Sequence, residues 1–231
     1  MGKSEKTKSR ALAQSQMINR NLLINKKNWS HLIHSWKNCK LPHALLFHGP
    51  VGAGKEGHAV ELAGLLNCTA TTNKNPCGDC SSCKKTKSFQ HGSVKLILPL
   101  PRGKIKSRED PIKKSFSDSV LKEYLNMLKE KETDPYYSIH VPGAKTILIN
   151  SIRELKHDMS LSALNNEWRV ILIFQAEKLC IPSPDAAHAL LKVLEEPPER
   201  TLFILVSSQP QAILDTIHSR CQSIFFPAIS T

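Results

Sequence analysis

Short runs of aliphatic residues constrain the fold of this chain more than any other feature of its sequence. Each run is rich in Val, Ile or Leu, and together they occupy residues 44–47, 94–98, 147–149, 170–174 and 202–206. Such apolar runs are typical of strands that are covered on both faces, as in a parallel sheet. Segments with helical spacing of apolar residues separate them, notably 151–159 and 185–196. This alternation predicts an α/β domain in which helices flank a parallel sheet.

The length and composition of the chain favour one domain. Its 231 residues, of which 40% are apolar, suffice for one well-buried core. We expect that domain to span residues 29–229, after a basic and flexible extension at 1–28 in which 11–23 could form a helix with a partner. No window approaches the run of about 18 apolar residues that a membrane span needs, so we expect a cytoplasmic protein without membrane contact.

Two segments interrupt the pattern of strands and helices. Residues 67–84 are rich in cysteine, and we expect them to form a small metal-binding module. Residues 99–142 change in character to Lys, Arg, Ser and Asp, around an amphipathic middle at 116–128. We interpret this second segment as a helical insertion, and a solvated decoration of the surface is the alternative.

The chain is strongly basic. Lys and Arg outnumber Asp and Glu by 32 to 20, which gives a formal net charge of +12. Such a charge attracts polyanions, so it favours nucleic acid or an acidic protein as a partner. A solvated, lysine-rich face is the alternative explanation, and the motifs have to decide between them.

A glycine-rich turn follows the first apolar run and precedes a helical segment. The residues from Gly49 to Glu56 match the phosphate-loop pattern G-x-x-x-x-G-K-[ST] up to its last position. In such a loop the backbone N–H groups converge on phosphate oxygens, and the lysine reaches the terminal phosphates. The candidate nucleotide-binding residues are Gly49, Gly52, Gly54, Lys55 and Glu56. Glu56 stands where a Ser or Thr hydroxyl normally holds magnesium, so we expect a degenerate site, with a loop of coincidental glycines as the alternative.

The end of the run at 170–174 lacks the groups that nucleotide hydrolysis needs. A phosphate-loop ATPase places an Asp here for magnesium, often followed by a Glu, whereas this chain has Phe174 and Gln175. A phenyl ring does not bind a hard cation, and an amide cannot accept a proton from the attacking water. We therefore predict no intrinsic hydrolysis, while the binding of ATP and Mg²⁺ stays open. Glu177 is a substitute base in principle, but we expect it to lie beyond the strand end.

The spacing of the cysteines indicates a metal. Four of the seven form the pattern C-x8-C-x2-C-x2-C, at Cys68, Cys77, Cys80 and Cys83. Two-residue gaps allow successive thiolates to converge on one ion, and four thiolates complete a closed tetrahedral zinc site with no open position for catalysis. We predict a structural zinc ion, with a redox role or an iron–sulfur cluster as alternatives. The remaining cysteines, Cys39, Cys180 and Cys221, fit small apolar positions better.

Several motifs in order resemble one protein family. They are the Leu-Pro-His-Ala sequence before the phosphate loop, the cysteine module after the following helix, the run Leu194-Glu195-Glu196-Pro197-Pro198, and Ser219-Arg220-Cys221. Over about residues 29–226 the chain resembles the clamp-loader AAA+ subunits of bacterial DNA polymerase III, which include gamma/tau and delta-prime. The departures at Glu56, Phe174 and Gln175 make it most similar to delta-prime.

The resemblance implies a fold, site residues and partners. The fold would be the P-loop AAA+ (RecA-like) domain, with the lid and collar domains of such subunits absent after about residue 229. Arg220 would act in trans as an arginine finger on ATP held by a neighbouring subunit. Ser207 and Ser208 match polar sensor residues at a strand end. The implied partners are the gamma/tau and delta subunits, the sliding clamp and, through the assembled complex, primer–template DNA.

Three functional hypotheses follow. The first is a non-hydrolysing clamp-loader subunit that supports loading of the sliding clamp and supplies Arg220 to its neighbour. The second is an active gamma-like ATPase, which Phe174 disfavours. The third is a zinc-bearing DNA-binding module, whose isolated chain would bind DNA with an affinity that falls steeply with salt.

Overall fold

A parallel sheet forms the centre of the fold. The computed structural model describes residues 17–71, 74–161 and 167–229. Within these ranges, the strands are β1 Ala44–His48, β2 Val94–Ile97, β3 Arg169–Phe174, β4 Thr201–Ser207 and β5 Gln222–Phe225. Their spatial order is β2-β3-β4-β1-β5, and every neighbouring pair is parallel. The predicted α/β class is confirmed.

Helices cover both faces of the sheet. They are α1 Lys26–Lys37, α2 Lys55–Asn67, α3 Ser81–Lys87, α4 Asp118–Thr133, α5 Ile149–Leu161, α6 Asp185–Glu195 and α7 Asp215–His218. Short 3-10 turns lie at Ile112–Ser115, Ala176–Cys180 and Pro210–Ala212. Along β3, Val170 and Leu172 face the layer that contains α1 and α2, while Ile171 faces the layer of α5, α6 and α7. Burial on both faces is why the central strands are continuously apolar.

The prediction of a strand at residues 147–149 was wrong. Residues 147–149 contribute no strand: Ile149 begins α5, and an isolated antiparallel bridge joins Leu100 to Thr146. The fifth strand is β5, which pairs on one side with β1 and buries only Ile224 along its length. An edge strand of this kind need not be continuously apolar, so its sequence lacks the signal that marked the central strands.

The N-terminal segment, residues 17–25, packs onto α2. The expectation that residues 1–28 lie outside the core is therefore wrong for Met17, Ile18, Asn19 and Leu22, which are buried, and residues 17–21 form bends and turns. Residues 1–16, including the first half of the helix predicted at 11–23, lie outside the described residues. Two glycines of α2 permit the close approach, because a Cβ on Gly64 would lie 1.9 Å from Cδ1 of Ile18 and one on Gly57 would lie 2.8 Å from Cδ1 of Leu22.

Two buried polar side chains of α2 hold this segment. The Glu61 carboxylate accepts backbone N–H groups of Ile18, at 3.0 Å, and Asn19, at 2.5 Å. One turn earlier, Nε2 of His58 accepts the N–H of Asn25 at 2.9 Å. Burial raises the pKa of Glu61 to about 7 and lowers the pKa of His58 to about 4. The polar backbone of the segment is thus satisfied inside the fold.

The insertion at 99–142 contains α4, which packs on the domain. Phe116, Val120, Tyr124 and Leu128 are partly buried against the core. Their spacing is the amphipathic stripe seen in the sequence, and the structure excludes a fully solvated decoration for this helix. Of the helices in the described ranges, none is both long and apolar enough to cross a bilayer.

The raised pKa of Glu61 predicts that the stability of the fold depends on pH. Its folded pKa of about 7 lies above the usual 4.5, so the folded protein binds more protons than the unfolded chain between these values. The stability of the wild type relative to Glu61→Gln should therefore fall as the pH rises from about 5 to about 7 and then level off. Urea unfolding at several pH values measures this difference. The exposed Glu123→Gln is the control, and a difference that is constant or grows with pH would contradict the assignment.

Candidate functional site

The carboxyl ends of three adjacent strands converge on one edge of the sheet. The phosphate loop follows β1, Ser207 ends β4, and Phe174 ends β3. In open parallel sheets, ligands bind at this edge. The predicted loop, the predicted sensor-like serines and the altered strand end therefore meet in one place.

A cleft of about 300 Å³ lies at this edge. The phosphate loop and the strand ends form one wall, and the insertion forms the other. Its lining residues are Val51, Gly52, Gly54, Lys55, Glu56, Lys131, Pro135, Tyr136, Ser138, His140, Ala144, Gln175, Glu177, Lys178, Val206, Ser207 and Ser208. We take this cleft as the candidate functional site.

Backbone conformation explains the glycines of the loop. Gly52 and Gly54 have φ values of 78° and 76°, in the left-handed region that favours glycine. At Gly49 the reason is a close approach, because a Cβ would lie 2.1 Å from the carbonyl oxygen of Phe226. The Nδ1–H of His58 donates to the carbonyl of Gly54 at 2.7 Å. The loop is held from the far side by residues that lie outside the motif.

Lys55 is buried at the centre of the loop. Its Nζ donates to the carbonyl oxygens of Gly49, at 2.8 Å, and Pro50, at 2.5 Å. Burial lowers its pKa, and the nearby carboxylates of Glu56 and Glu177 oppose that shift. The lysine of the motif thus points back at its own loop.

Glu56 forms an ion pair with the buried Lys131, which lies in the last turn of α4. The two side chains are 17% and 2% exposed. The Lys131 ammonium group also donates to the carbonyls of Pro135, at 2.9 Å, and Tyr137, at 2.6 Å. The insertion therefore places a cation against the residue that replaced the magnesium-binding hydroxyl.

The end of β3 completes the surroundings of this cation. Nζ of Lys131 lies 5.8 Å from the centre of the Phe174 ring, within the range of a cation–π contact. The side chain of Gln175 donates to the carbonyl of Ile139 at 2.8 Å. A magnesium ion does not fit these residues, because the Glu56 carboxylate already binds an ammonium group and Phe174 offers no oxygen.

Glu177 lies beyond the end of β3, as expected, but it nevertheless lines the cleft. It sits in the 3-10 turn after β3, and its carboxylate accepts the hydroxyl of Ser207 at 2.6 Å. The Ser207 oxygen in turn accepts the N–H of Gln209 at 3.0 Å. Ser208 also lines the cleft. Ser207 thus ties β4 to the turn after β3.

The contribution of the insertion to the cleft was not predicted from the sequence. Lys131, Tyr136, Ser138 and His140 all line the cleft. One signal was present: Lys131 continues the apolar stripe of α4, three residues after Leu128. A lysine in that position indicates burial, but its partner lies 75 residues away in sequence and cannot be found from spacing.

The four predicted metal ligands come together at the start of α3. The Sγ atoms of Cys68, Cys77, Cys80 and Cys83 all lie within 4.8 Å of one another, and those of Cys77 and Cys83 are 3.9 Å apart. A tetrahedral zinc–thiolate site, with bonds of about 2.3 Å, places its sulfurs about 3.8 Å apart. Backbone N–H groups of the last three cysteines donate to the preceding Sγ atoms at 3.3–3.4 Å. These residues fit one ion.

Arg220 does not line the cleft. It follows α7, where its guanidinium donates to the carbonyl of Thr216 at 3.0 Å and pairs with Glu195 at 2.8 Å. Its side chain remains 35% exposed. Arg220 therefore lies apart from the chain's own phosphate loop.

Comparison with known proteins identifies relatives of the chain. Residues 24–230 match the family model described as "DNA polymerase III, delta subunit". The delta-prime subunit of DNA polymerase III of Bacillus subtilis is 28% identical over 84% of this chain and 45% of its own length. The tau subunit of the same organism is 28% identical over 83% of this chain and 26% of its own length.

The chain spans less than half the length of these relatives. A gamma-subunit-related structure from Thermotoga maritima aligns with 59% of this chain and 41% of its own, at 20% identity. Its TM-score of 0.33 is too low to support a fold assignment.

The cysteine cluster yields a prediction about metal content. We expect about one zinc ion per reduced, folded chain, because four thiolates complete a closed site. Cys83→Ser should lower the zinc content and the melting temperature together, since metal binding contributes to folding. Elemental analysis and thermal unfolding test this, with the exposed Cys39→Ser as the control. Full folding of a zinc-free wild type would contradict a structural metal.

Proposed function

The chain belongs to the DNA polymerase III delta-subunit family, and we propose that it acts as a non-hydrolysing, delta-prime-like subunit of a clamp loader. Its role would be to support the ATP-dependent loading of a sliding clamp on primed DNA. The observation that carries this proposal is the ion pair at the phosphate loop between Glu56 and the buried Lys131.

Three features of the cleft support the absence of hydrolysis. Glu56 is engaged by Lys131, Phe174 provides no ligand for a metal, and the Gln175 amide is held by the carbonyl of Ile139. Phosphoryl transfer depends on a metal ion and on a group that orients the attacking water. Neither a metal ligand nor a base is supplied by the motif positions.

An active, gamma-like ATPase is the second candidate, and Glu177 is the observation that favours it. This carboxylate lines the cleft and could in principle accept a proton. It is already engaged by Ser207, however, and it does not replace the missing metal ligands. We therefore rank this function second.

Arg220 supports a role in trans. In our proposal its guanidinium reaches ATP bound by a neighbouring subunit, where it stabilises charge on the transferring phosphoryl group. The Ser-Arg-Cys sequence and the partly exposed position of the side chain support this role.

The same proposal assigns partners and surroundings. The chain would assemble with gamma/tau and delta subunits in the cytoplasm, contact the sliding clamp and meet primer–template DNA within the complex. A structural zinc ion at the four-cysteine cluster would hold the segment between α2 and α3.

One prediction of the proposed function concerns ATP hydrolysis by the chain itself. ATP turnover with Mg²⁺, alone or with DNA, should not exceed that of the Lys55→Ala variant, because Glu56 is paired with Lys131, Phe174 offers no metal ligand and Glu177 is engaged by Ser207. A phosphate-release assay measures this. Turnover that depends on Lys55 would instead establish the gamma-like ATPase.

The second prediction concerns Arg220 in the assembled clamp loader. Arg220→Ala should reduce the ATP turnover of the neighbouring site by about 100-fold or more, since arginine fingers contribute about 10³–10⁵. Arg220→Lys should recover little, because a point charge does not reproduce the guanidinium fork. Arg153→Ala, which removes another exposed, ion-paired arginine, is the control. Wild-type turnover by a fully assembled Arg220→Ala complex would exclude the finger.

A further inference from the structure

Two departures from the phosphate-loop pattern meet at a single atom. Glu56 stands at the position of the magnesium-binding hydroxyl, and Phe174 stands at the position of the magnesium-binding carboxylate. Nζ of Lys131 contacts both: it forms an ion pair with Glu56, and it lies 5.8 Å from the centre of the Phe174 ring. Each of the two residues, taken alone, means the loss of one magnesium ligand. Around Lys131 they form one binding site for an ammonium group.

The ammonium group is fully satisfied in this place. A protonated lysine has three N–H donors. Lys131 directs them to the Glu56 carboxylate and to the carbonyls of Pro135 and Tyr137. Burying a charge is strongly unfavourable unless it is paired and hydrogen-bonded, and this one is both. Lys131 therefore occupies a complete binding site for an ammonium group.

The charges around the cation are also matched. A hydroxyl and an Asp suit a divalent ion, which needs hard oxygen ligands. A single carboxylate and an aromatic face suit a monovalent ammonium ion, since one negative charge balances it and the ring adds a cation–π contact. Glu56 and Phe174 provide that second combination.

The insertion holds this cation in place. Lys131 lies in the last turn of α4, where the helix dipole favours positive charge. The turn that follows supplies two of its acceptors, and the hydroxyl of Tyr136 in that turn accepts the N–H of Leu23 at 2.7 Å. The insertion is thereby fastened to the N-terminal segment as well as to the phosphate loop.

We propose that Lys131 is a tethered cation that occupies the magnesium position of the phosphate loop and makes this site independent of divalent metal. The inference rests on the proposed function and deepens it, because it states what took the place of the lost metal chemistry. Any nucleotide that enters the cleft would do so without a magnesium ion between Glu56 and Phe174.

A double-mutant cycle tests the pairing. Lys131→Met leaves Glu56 without its cation, and Glu56→Gln leaves the lysine without its carboxylate. Each single variant should unfold at a lower urea concentration than the wild type, and the double variant should recover most of the loss. The exposed pair Arg153 and Glu109, changed to Met and Gln, is the matched control and should behave additively. If Lys131→Met does not fold, folding of the double variant demonstrates the same coupling.

Metal rescue tests the position of the cation. Millimolar Mg²⁺ should raise the melting temperature of Lys131→Met, because the Glu56 carboxylate and the carbonyls of Pro135 and Tyr137 are then free to offer three oxygen ligands to a hard cation. It should leave the wild type and the double variant unchanged relative to NaCl of equal ionic strength. A rise in the wild type, or no rise in Lys131→Met, would overturn the proposal.

The two proposals fail in different ways. If the two substitutions behave additively and the chain does not hydrolyse ATP, the tethered cation is excluded and the proposal of a non-hydrolysing subunit is retained. Lys55-dependent hydrolysis by the wild type removes the proposed function itself.

Discussion

A buried ammonium group must find acceptors, and the surroundings of Lys131 satisfy this requirement from several parts of the chain. Glu56 comes from the first turn of α2, Phe174 from the end of β3, and the two carbonyls from the turn after α4. Because these partners come from three different parts of the chain, the contact aligns the insertion with the edge of the sheet.

Helix α2 connects this cation to the rest of the domain. His58 bridges the phosphate loop and the N-terminal segment: its Nδ1–H donates to Gly54, and its Nε2 accepts from Asn25. This pattern requires the neutral ring, which agrees with the lowered pKa. Glu61 holds the same segment one turn later. Helix α2, which follows the phosphate loop, therefore contacts the insertion through Glu56 and the N-terminal segment through His58 and Glu61.

The sequence predicted what depends on local pattern. Central strands covered on both faces are continuously apolar, and cysteines that share one ion keep close spacing, so both could be found without a structure. The edge strand β5 escaped notice because only one residue of it is buried. Lys131 was missed and Glu177 was discounted as members of the site, because their roles depend on partners distant in sequence, at Glu56 and Ser207. The packing of the N-terminal segment on α2 was missed because glycines of that helix make room for Ile18 and Leu22.

Crystallography with manganese tests most directly which cation lies between Glu56 and Phe174. Mn²⁺ takes the oxygen ligands of Mg²⁺ and can be located by its anomalous scattering. Crystals of the wild-type chain grown with Mn²⁺ and a non-hydrolysable ATP analogue should show no anomalous peak between these residues, and Lys131 should remain against Glu56. A manganese peak coordinated by Glu56, with Lys131 displaced, would contradict the account.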